Sequence, residues 1–205
     1  MTVDFATVEK FEKTIARFFN AQYAVATDSC THAIELSLRL LDLGHVTVKC
    51  PTKTYISVPA TLEKLGLSWE FNDTNWSEYY YLEGTPVIDA AVYWKVNGYV
   101  PGSLMCLSFQ QKKHLSLIRG GMILTDDPAS AHVLKQMSYD GRNNLVPWKE
   151  QDIAVLGFHY YMPPETAALG LSQFAEAACT SAPTIDSSYY PDLSKLTVFQ
   201  NVKCQ

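Results

Sequence analysis

The residue of this 205-residue chain with the clearest chemical use is a lysine. Lys113 follows a strand-like apolar run and precedes the glycine pair Gly120-Gly121 by seven residues. A lysine amine can form a Schiff base with the aldehyde of pyridoxal phosphate (PLP) where its surroundings hold it deprotonated and aimed at the aldehyde carbon. The simpler interpretation is a solvated basic pair, Lys112-Lys113, on an exposed turn. Other features of the chain must therefore decide between the two.

A second feature is a carboxylate that follows a short apolar run. Asp89 comes directly after Pro86-Val87-Ile88, and two alanines follow it. It is expected at the C-terminal edge of a strand, where open α/β sheets bind ligands. A carboxylate there can pair with a protonated pyridine nitrogen and keep the ring an effective electron sink. A turn aspartate or a helix N-cap would explain Asp89 equally well without a ligand.

A third feature is the polar turn Ser29-Cys30-Thr31, which lies between a predicted strand and an amphipathic run at 33–41. The free backbone N–H groups at a helix N-terminus and the Ser29 and Thr31 hydroxyls could bind a phosphate dianion. Ordinary N-capping by these side chains would need no ligand.

In their order along the chain, these three features resemble the DegT/DnrJ/StrS-type family of PLP-dependent aminotransferases, which make amino sugars on nucleotide carriers. The similarity runs from about residue 8 to residue 173. It comprises seven segments in family order, at 8–13, 29–31, 54–57, 89–91, 108–113, 120–127 and 157–162.

The resemblance implies a role for each matching residue. Lys113 corresponds to the Schiff-base lysine, which also acts as the general base, and Asp89 to the partner of the pyridine nitrogen. Tyr55 corresponds to an aromatic ring stacked on the cofactor. The implied phosphate contacts are the Ser29, Thr31 and Ser108 side chains with the backbone amides of the turn that contains Cys30.

One further match implies a homodimer with shared active sites. His159 occupies the place of a family asparagine that reaches the cofactor phosphate of the neighbouring subunit. Two copies related by a twofold axis would each complete the pocket of the other.

The chain also departs from the family pattern. Cys30 replaces a usual glycine in the phosphate turn, Val92 replaces a glutamine that contacts the cofactor, and Tyr161 replaces a frequent arginine. Ile118-Arg119 stands where Gly-Glu is more usual. The chain is short between residues 72 and 89, and the family's C-terminal domain is almost absent.

The hydrophobic pattern predicts an alternation of helices and strands. The resemblance narrows this α/β class to the large domain of PLP-dependent transferase fold type I, the aspartate-aminotransferase type, with a reduced, mainly parallel sheet. We expect residues 1–178 to form the PLP-binding domain and 179–205 to be a tail left from the small domain. The predicted helices are 8–19, 31–41, 55–65, 128–139 and 163–178, and the predicted strands are 23–26, 46–50, 69–71, 86–88, 104–109 and 121–124.

Composition excludes several classes of protein. A net charge of −5 with scattered basic residues gives no footprint for nucleic acid, and no apolar run is long enough for a membrane span. The N-terminus lacks a secretory signal pattern, so we expect a cytoplasmic chain. The five cysteines and five histidines show neither disulfide nor metal-ligand spacing.

These features together predict a PLP-dependent aminotransferase. By the resemblance, the amino donor is glutamate and the acceptor is a keto compound such as a nucleotide-linked keto sugar. Two alternatives stay open. Another PLP reaction (dehydration, decarboxylation or retro-aldol cleavage) would use the same residues, and a non-catalytic relative could serve as a binding or assembly subunit.

Overall fold

Helices and strands alternate through residues 4–200, the part of the chain that the computed structural model describes. The predicted elements are all present, with ends shifted by up to three residues, whereas the short strand at 80–81 and the short helix at 197–200 were not predicted. The helices are α1 (Phe5–Phe19), α2 (Cys30–Leu40), α3 (Ser57–Lys64), α4 (Pro128–Ser138), α5 (Pro164–Cys179) and α6 (Thr197–Gln200), with 3-10 turns at Trp148–Glu150, Ser187–Tyr189 and Leu193–Lys195. The strands are β1 (Tyr23–Thr27), β2 (Val48–Pro51), β3 (Trp69–Asn72), β4 (Tyr80–Tyr81), β5 (Val87–Asp89), β6 (Leu104–Ser108) and β7 (Gly121–Thr125).

The main sheet has five strands in the order β1-β7-β6-β5-β4. The pair β5-β6 is parallel, whereas β1-β7, β6-β7 and β4-β5 are antiparallel. The α/β class is confirmed, but the expectation of a mainly parallel sheet is wrong in detail, because the sheet is mixed. For β4 and β5 the reason is connection length: only residues 82–86 join these strands, too few for the crossover that a parallel pair needs, so the two run in opposite directions. Strands β2 and β3 form a separate parallel pair.

The main sheet is packed on both faces, as expected of a three-layer α/β domain. Helices α1 and α5 cover one face, where Phe11, Ile15 and Phe19 of α1 are fully buried. Helices α2 and α4 cover the other face, where Leu36 and Leu134 are fully buried. Side chains alternate between these two clusters along each strand, so successive residues serve different layers.

The described part of the tail, residues 180–200, lies against the chain's own segments at 52–53 and 75–78. The backbone N–H of Glu78 donates to the carbonyl of Ile185 at 2.8 Å, and that of Leu193 donates to Thr52 at 2.8 Å. The tail therefore runs beside the segment that leads into the edge strand β4. Cys204 lies outside the described residues.

Over residues 4–200, the longest helices are too short or too polar to cross a bilayer. The same part of the chain has no group of three or more histidine, cysteine or acidic side chains placed to hold a metal ion.

Candidate active site

A cavity of about 220 Å³ opens where three strands end at one edge of the main sheet. Strands β1, β5 and β6 run in the same direction, so the residues that follow β1 and those that end β5 and β6 meet there. Seven of the eight residues predicted to bind a cofactor line this cavity: Ser29, Cys30, Thr31, Tyr55, Asp89, Ser108 and Lys113.

Lys113 is distinguished from its neighbour by burial. Its side chain is half-buried in the wall of the cavity, whereas Lys112 is exposed. Among residues 4–200, no hydrogen-bond or ion-pair partner contacts the Nζ atom of Lys113. A half-buried amine without a partner is available to a ligand, which is unusual because most buried charges are paired. This observation favours the cofactor-binding interpretation over the solvated basic pair.

The loop that carries Lys113, residues 109–120, is fixed by its own apolar side chains. Phe109, Leu115 and Leu117 are buried, and the backbone N–H of Leu117 donates to the carbonyl of Phe109 at 2.8 Å. His114 Nε2 lies 2.9 Å from the carbonyl oxygen of Ala177 at the end of α5. The loop is therefore held to the sheet and to α5, which gives the lysine a defined position.

Asp89 ends β5 with its side chain buried in the wall of the cavity. Its Oδ1 accepts the backbone N–H of Ala91 at 2.9 Å, and its Oδ2 accepts the phenol of Tyr80 at 2.6 Å. Burial raises the pKa of Asp89, although both hydrogen bonds and the charge of Lys113 oppose that rise. Lys113 and Asp89 thus lie close enough to interact electrostatically within one cavity.

The predicted phosphate turn is at the N-terminus of α2. Ser29 is the N-cap, and its Oγ accepts the backbone N–H of His32 at 3.3 Å. The N-capping alternative is therefore true of Ser29, but the backbone N–H groups of Cys30 and Thr31 have no acceptor within residues 4–200. These two groups and the positive end of the helix dipole remain available to an anion.

A glycine allows β7 to pass directly beside this turn. A Cβ atom on Gly121 would lie 2.3 Å from the carbonyl carbon of Ser29 and 2.5 Å from the backbone nitrogen of Cys30. Neither backbone atom can be moved as a flexible side chain can. The glycine pair that pointed to Lys113 in the sequence thus has a structural purpose at the phosphate turn.

Two departures from the family pattern alter the cavity locally. Burial raises the pKa of the Cys30 thiol well above its usual range, and the charge of Asp89 adds to that effect. The thiol is therefore a neutral apolar group in the wall. Ile118 has a φ of 69°, in the left-handed region that the family's usual glycine adopts without strain.

Sequence reasoning did not predict three aromatic residues that line the cavity, Trp76, Tyr80 and Tyr190. The Trp76 ring centroid is 5.0 Å from that of Tyr80 and 5.6 Å from that of Tyr190. They come from the shortened segment before β5 and from the tail, both of which lie outside the motifs. The clusters of aromatic residues at 76–81 and 189–190 were the only signal in the sequence.

A charged cluster at the mouth of the cavity was also missed. Arg119 Nη2 lies 2.7 Å from Asp28 Oδ2, and His32 Nδ1 lies 2.5 Å from Asp28 Oδ1. The guanidinium is thus paired beside the turn that contains Ser29. This pairing links the loop of Lys113 to the start of α2.

His159 is the predicted site residue that the cavity does not include. It is exposed, and its Nδ1 lies 3.1 Å from Oδ2 of Asp140. It lines a separate shallow depression together with Asp28, Arg119 and Tyr161. Within one subunit, His159 is therefore separate from the other seven residues.

A family model for the DegT/DnrJ/EryC1/StrS aminotransferases matches residues 2–83 and 90–193. The chain belongs to this family. The resemblance stated from the motifs is confirmed, and the unmatched residues 84–89 fall in the segment that the sequence showed to be shortened.

Solved structures show the same fold. AtS13 from Actinomadura melliaura superimposes with a TM-score of 0.74 at 19% identity, covering 83% of this chain and 60% of AtS13. PseC from Helicobacter pylori, an aminotransferase involved in pseudoaminic acid biosynthesis, gives 0.69 at 16% identity, covering 83% and 58%. Spr1654 from Streptococcus pneumoniae, a sugar aminotransferase in its PLP form, gives 0.68 at 16% identity, covering 83% and 59%.

The fold is therefore that of PLP-dependent aminotransferases, as predicted. The chain spans about three-fifths of the length of these three proteins. No individually curated protein matches it.

Proposed function

We propose that this protein is a PLP-dependent aminotransferase whose cofactor occupies the cavity at the sheet edge. One observation carries the proposal: a half-buried lysine amine without a partner shares a cavity with a buried carboxylate and with two unpaired N–H groups at a helix N-terminus. These are the three kinds of group that an aldehyde, a pyridine nitrogen and a phosphate require. Family membership supports the same reaction.

The residues fit the cofactor by their chemistry. When bound, PLP would supply a ring that delocalises the electrons left on a substrate carbon after its proton is removed. Asp89 would hold a proton on the ring nitrogen through a charge-assisted hydrogen bond. The turn Ser29-Cys30-Thr31 and Ser108 would bind the phosphate.

The chain's own groups would then carry out the proton movements. Lys113 Nζ would act first as a general base, taking the proton from the substrate carbon. It would then act as a general acid and deliver that proton to the carbon of the cofactor's aldehyde group. Tyr55, exposed at the cavity mouth, would cover one face of the ring and exclude water from that side.

The substrates are proposed from the relatives. An amino acid, by family analogy glutamate, would donate the amino group, and a keto compound would accept it. Spr1654, described as a sugar aminotransferase, and PseC, described as an aminotransferase of pseudoaminic acid biosynthesis, favour a keto sugar as acceptor, and by family analogy this sugar is linked to a nucleotide. Transamination is preferred to other PLP reactions because the family is one of aminotransferases.

The test of this proposal is covalent labelling. Added PLP should give a visible absorption band, and borohydride reduction followed by peptide mapping should place the pyridoxyl group on Lys113. The matched control is Lys112→Ala, which should keep the band, whereas Lys113→Ala should lose it. A label on Lys112, or no label, would contradict the assignment.

We also propose that the working unit is a homodimer. The segment between α4 and α5 exposes three large apolar side chains, Leu145, Trp148 and Leu156, at 77%, 67% and 79%. Such a concentration on one loop is typical of a surface that another chain covers. His159 lies at the end of this segment, so a second copy seated on the loop could bring His159 towards the other subunit's phosphate turn.

Mixing two inactive variants tests the shared site. In a heterodimer of Lys113→Ala and His159→Ala chains, one site would contain both defects and the other neither. Recovery of activity on mixing is expected. A PLP-bound, active species that sediments as a monomer would refute the homodimer.

The domain division is proposed in the same way: residues 1–178 would bind the cofactor, and residues 179–205 would be what remains of the small domain. Tyr190 lies in this tail and lines the cavity, so the tail would add one side chain to the site that residues 1–178 form.

A further inference from the structure

The buried carboxylate Asp89 has a side-chain partner that lies outside the seven motifs. Strand β4 pairs antiparallel with β5 in a register that places Tyr80 directly opposite Asp89. Residues opposite each other in this way point to the same face of the sheet. The phenol Oη lies 2.6 Å from Asp89 Oδ2, and both side chains are buried.

The direction of this hydrogen bond follows from the chemistry of its partners. An ionised carboxylate can only accept, so the phenol must donate its proton to Asp89. The oxygen of Tyr80 is then free to accept from the Thr54 hydroxyl, which it contacts. The result is a chain of donors that runs from Thr54 through Tyr80 to the carboxylate.

The charge on Asp89 needs this support because the site is buried. Burial raises the pKa of Asp89, and the hydrogen bond from Tyr80 is the strongest of the effects that lower it again. The pKa of Tyr80 is raised well above its usual range, mainly by burial and next by the nearby charge of Asp89. The phenol therefore stays protonated and can donate this hydrogen bond. Without this donor, the carboxyl would take up a proton more readily and would attract a pyridinium less.

The position of Tyr80 is also fixed independently of Asp89. Its ring lies against that of Trp76, whose indole N–H donates to the Lys53 carbonyl at 2.8 Å. The phenol is therefore held in place before any ligand enters.

We propose that Tyr80 is a positioning residue that keeps Asp89 ionised and oriented towards the ring nitrogen of the cofactor. This inference rests on the proposed function, since it gives Tyr80 a role only if PLP occupies the cavity. The shortened segment before β5 would then take part in the site, because it contains Tyr80, the donor to the Asp89 carboxylate.

Comparing the binding of PLP with that of an analogue distinguishes this role of Tyr80 from a merely structural one. PLP has a ring nitrogen that pairs with Asp89, whereas its carbocyclic analogue has a C–H group at the same position. Loss of the Tyr80 donor should therefore weaken binding of PLP but not of the analogue. The variant is Tyr80→Phe, and the matched control is Tyr81→Phe, because Tyr81 follows it on β4 but is exposed.

Affinity for each cofactor is measured by titration of the absorption or fluorescence change. We expect Tyr80→Phe to weaken PLP binding about tenfold or more, the usual effect of losing a hydrogen bond to a charged group. Affinity for the analogue should stay unchanged or increase, and Tyr81→Phe should affect neither. An equal loss for both cofactors, or no loss for PLP, would overturn the proposal.

A second variant covers the case in which Tyr80→Phe does not fold. Thr54→Val removes the donor to Tyr80 with little change of shape, and it should weaken PLP binding selectively but by less. Equal effects on the two cofactors would again refute the role. Failure of the proposed function would look different: the wild-type protein would then show neither a visible band with PLP nor a pyridoxyl label on Lys113.

Discussion

Replacement of Gly121 by alanine should destabilise the protein, because the new methyl group would collide with the phosphate turn. The Cβ atom would lie 2.3 Å from the Ser29 carbonyl carbon and 2.5 Å from the Ser29 oxygen. Ordinary contacts between heavy atoms lie near 3.5 Å, so strand and turn must separate by about 1 Å. Both partners are backbone, and no rotation of a side chain can relieve the collision.

The magnitude follows from what resists that separation. The Ser29 carbonyl accepts the backbone N–H of Ala33 at 3.0 Å and the Thr27 hydroxyl at 2.9 Å, so moving the turn strains both bonds. Overpacking of this kind costs about 1–3 kcal/mol. The reduced freedom of alanine in the unfolded chain offsets about 0.5 kcal/mol of that. We expect a net loss of about 1.5 kcal/mol, or roughly 3–6 °C in Tm for a domain of this size.

The matched control is Gly120→Ala. Its Cβ atom would first meet the Met162 Cε at 3.1 Å, the end of a flexible side chain that can move aside. The assay is urea denaturation of both variants without cofactor, with thermal melting as a second measure. If Gly121→Ala is as stable as the wild type, or if Gly120→Ala loses more, the argument from the close approach of β7 to the turn is wrong.

Two further predictions concern the cavity. Because burial raises the pKa of Asp89, the folded protein binds this proton more tightly than the unfolded chain does. The resulting contribution to stability is present at low pH and is lost as pH rises through the raised pKa, above which Asp89 is ionised. As pH rises from about 4 to 7, the free energy of unfolding should therefore fall less for Asp89→Asn than for the wild type. Urea denaturation without cofactor measures both, and a stability difference between the two proteins that does not change with pH would contradict this. Tyr190→Ala should speed the release of PLP, measured by stopped flow after dilution, because it opens the cavity wall. Tyr189→Ala, at an exposed neighbour, should leave that rate unchanged, and equal rates for all three proteins would contradict the role of the tail.

Much of the local structure could be predicted because it is encoded in short stretches of sequence. The apolar spacing of Val8, Phe11 and Ile15 marks one face of α1, and these residues are buried as that spacing requires. Strand β4 was missed because Tyr80–Tyr81 is two residues long and lies in a run of aromatic and polar residues without alternation. Its strand conformation depends on pairing with β5.

The site likewise contains residues that lie in local motifs and residues whose place depends on contacts distant in sequence. Lys113, Asp89 and the turn at Ser29 could be found because each lies within a short motif whose order the family shares. The structure brings them into one cavity. Arg119 and Tyr190 could not be found, because their place in the cavity depends on contacts with residues far away in the chain.

The sequence by itself determined the family, the α/β class, most of the helices and strands, and which residue types could serve a cofactor, since all of these depend on motifs and periodicities shorter than about 20 residues. Tertiary structure alone decided that the sheet is mixed, that Tyr80 lies opposite Asp89, and that the tail forms a wall of the cavity. The physical reason is that strand pairing and packing join groups distant in sequence. Their energies depend on how the rest of the chain has folded, which no local pattern records.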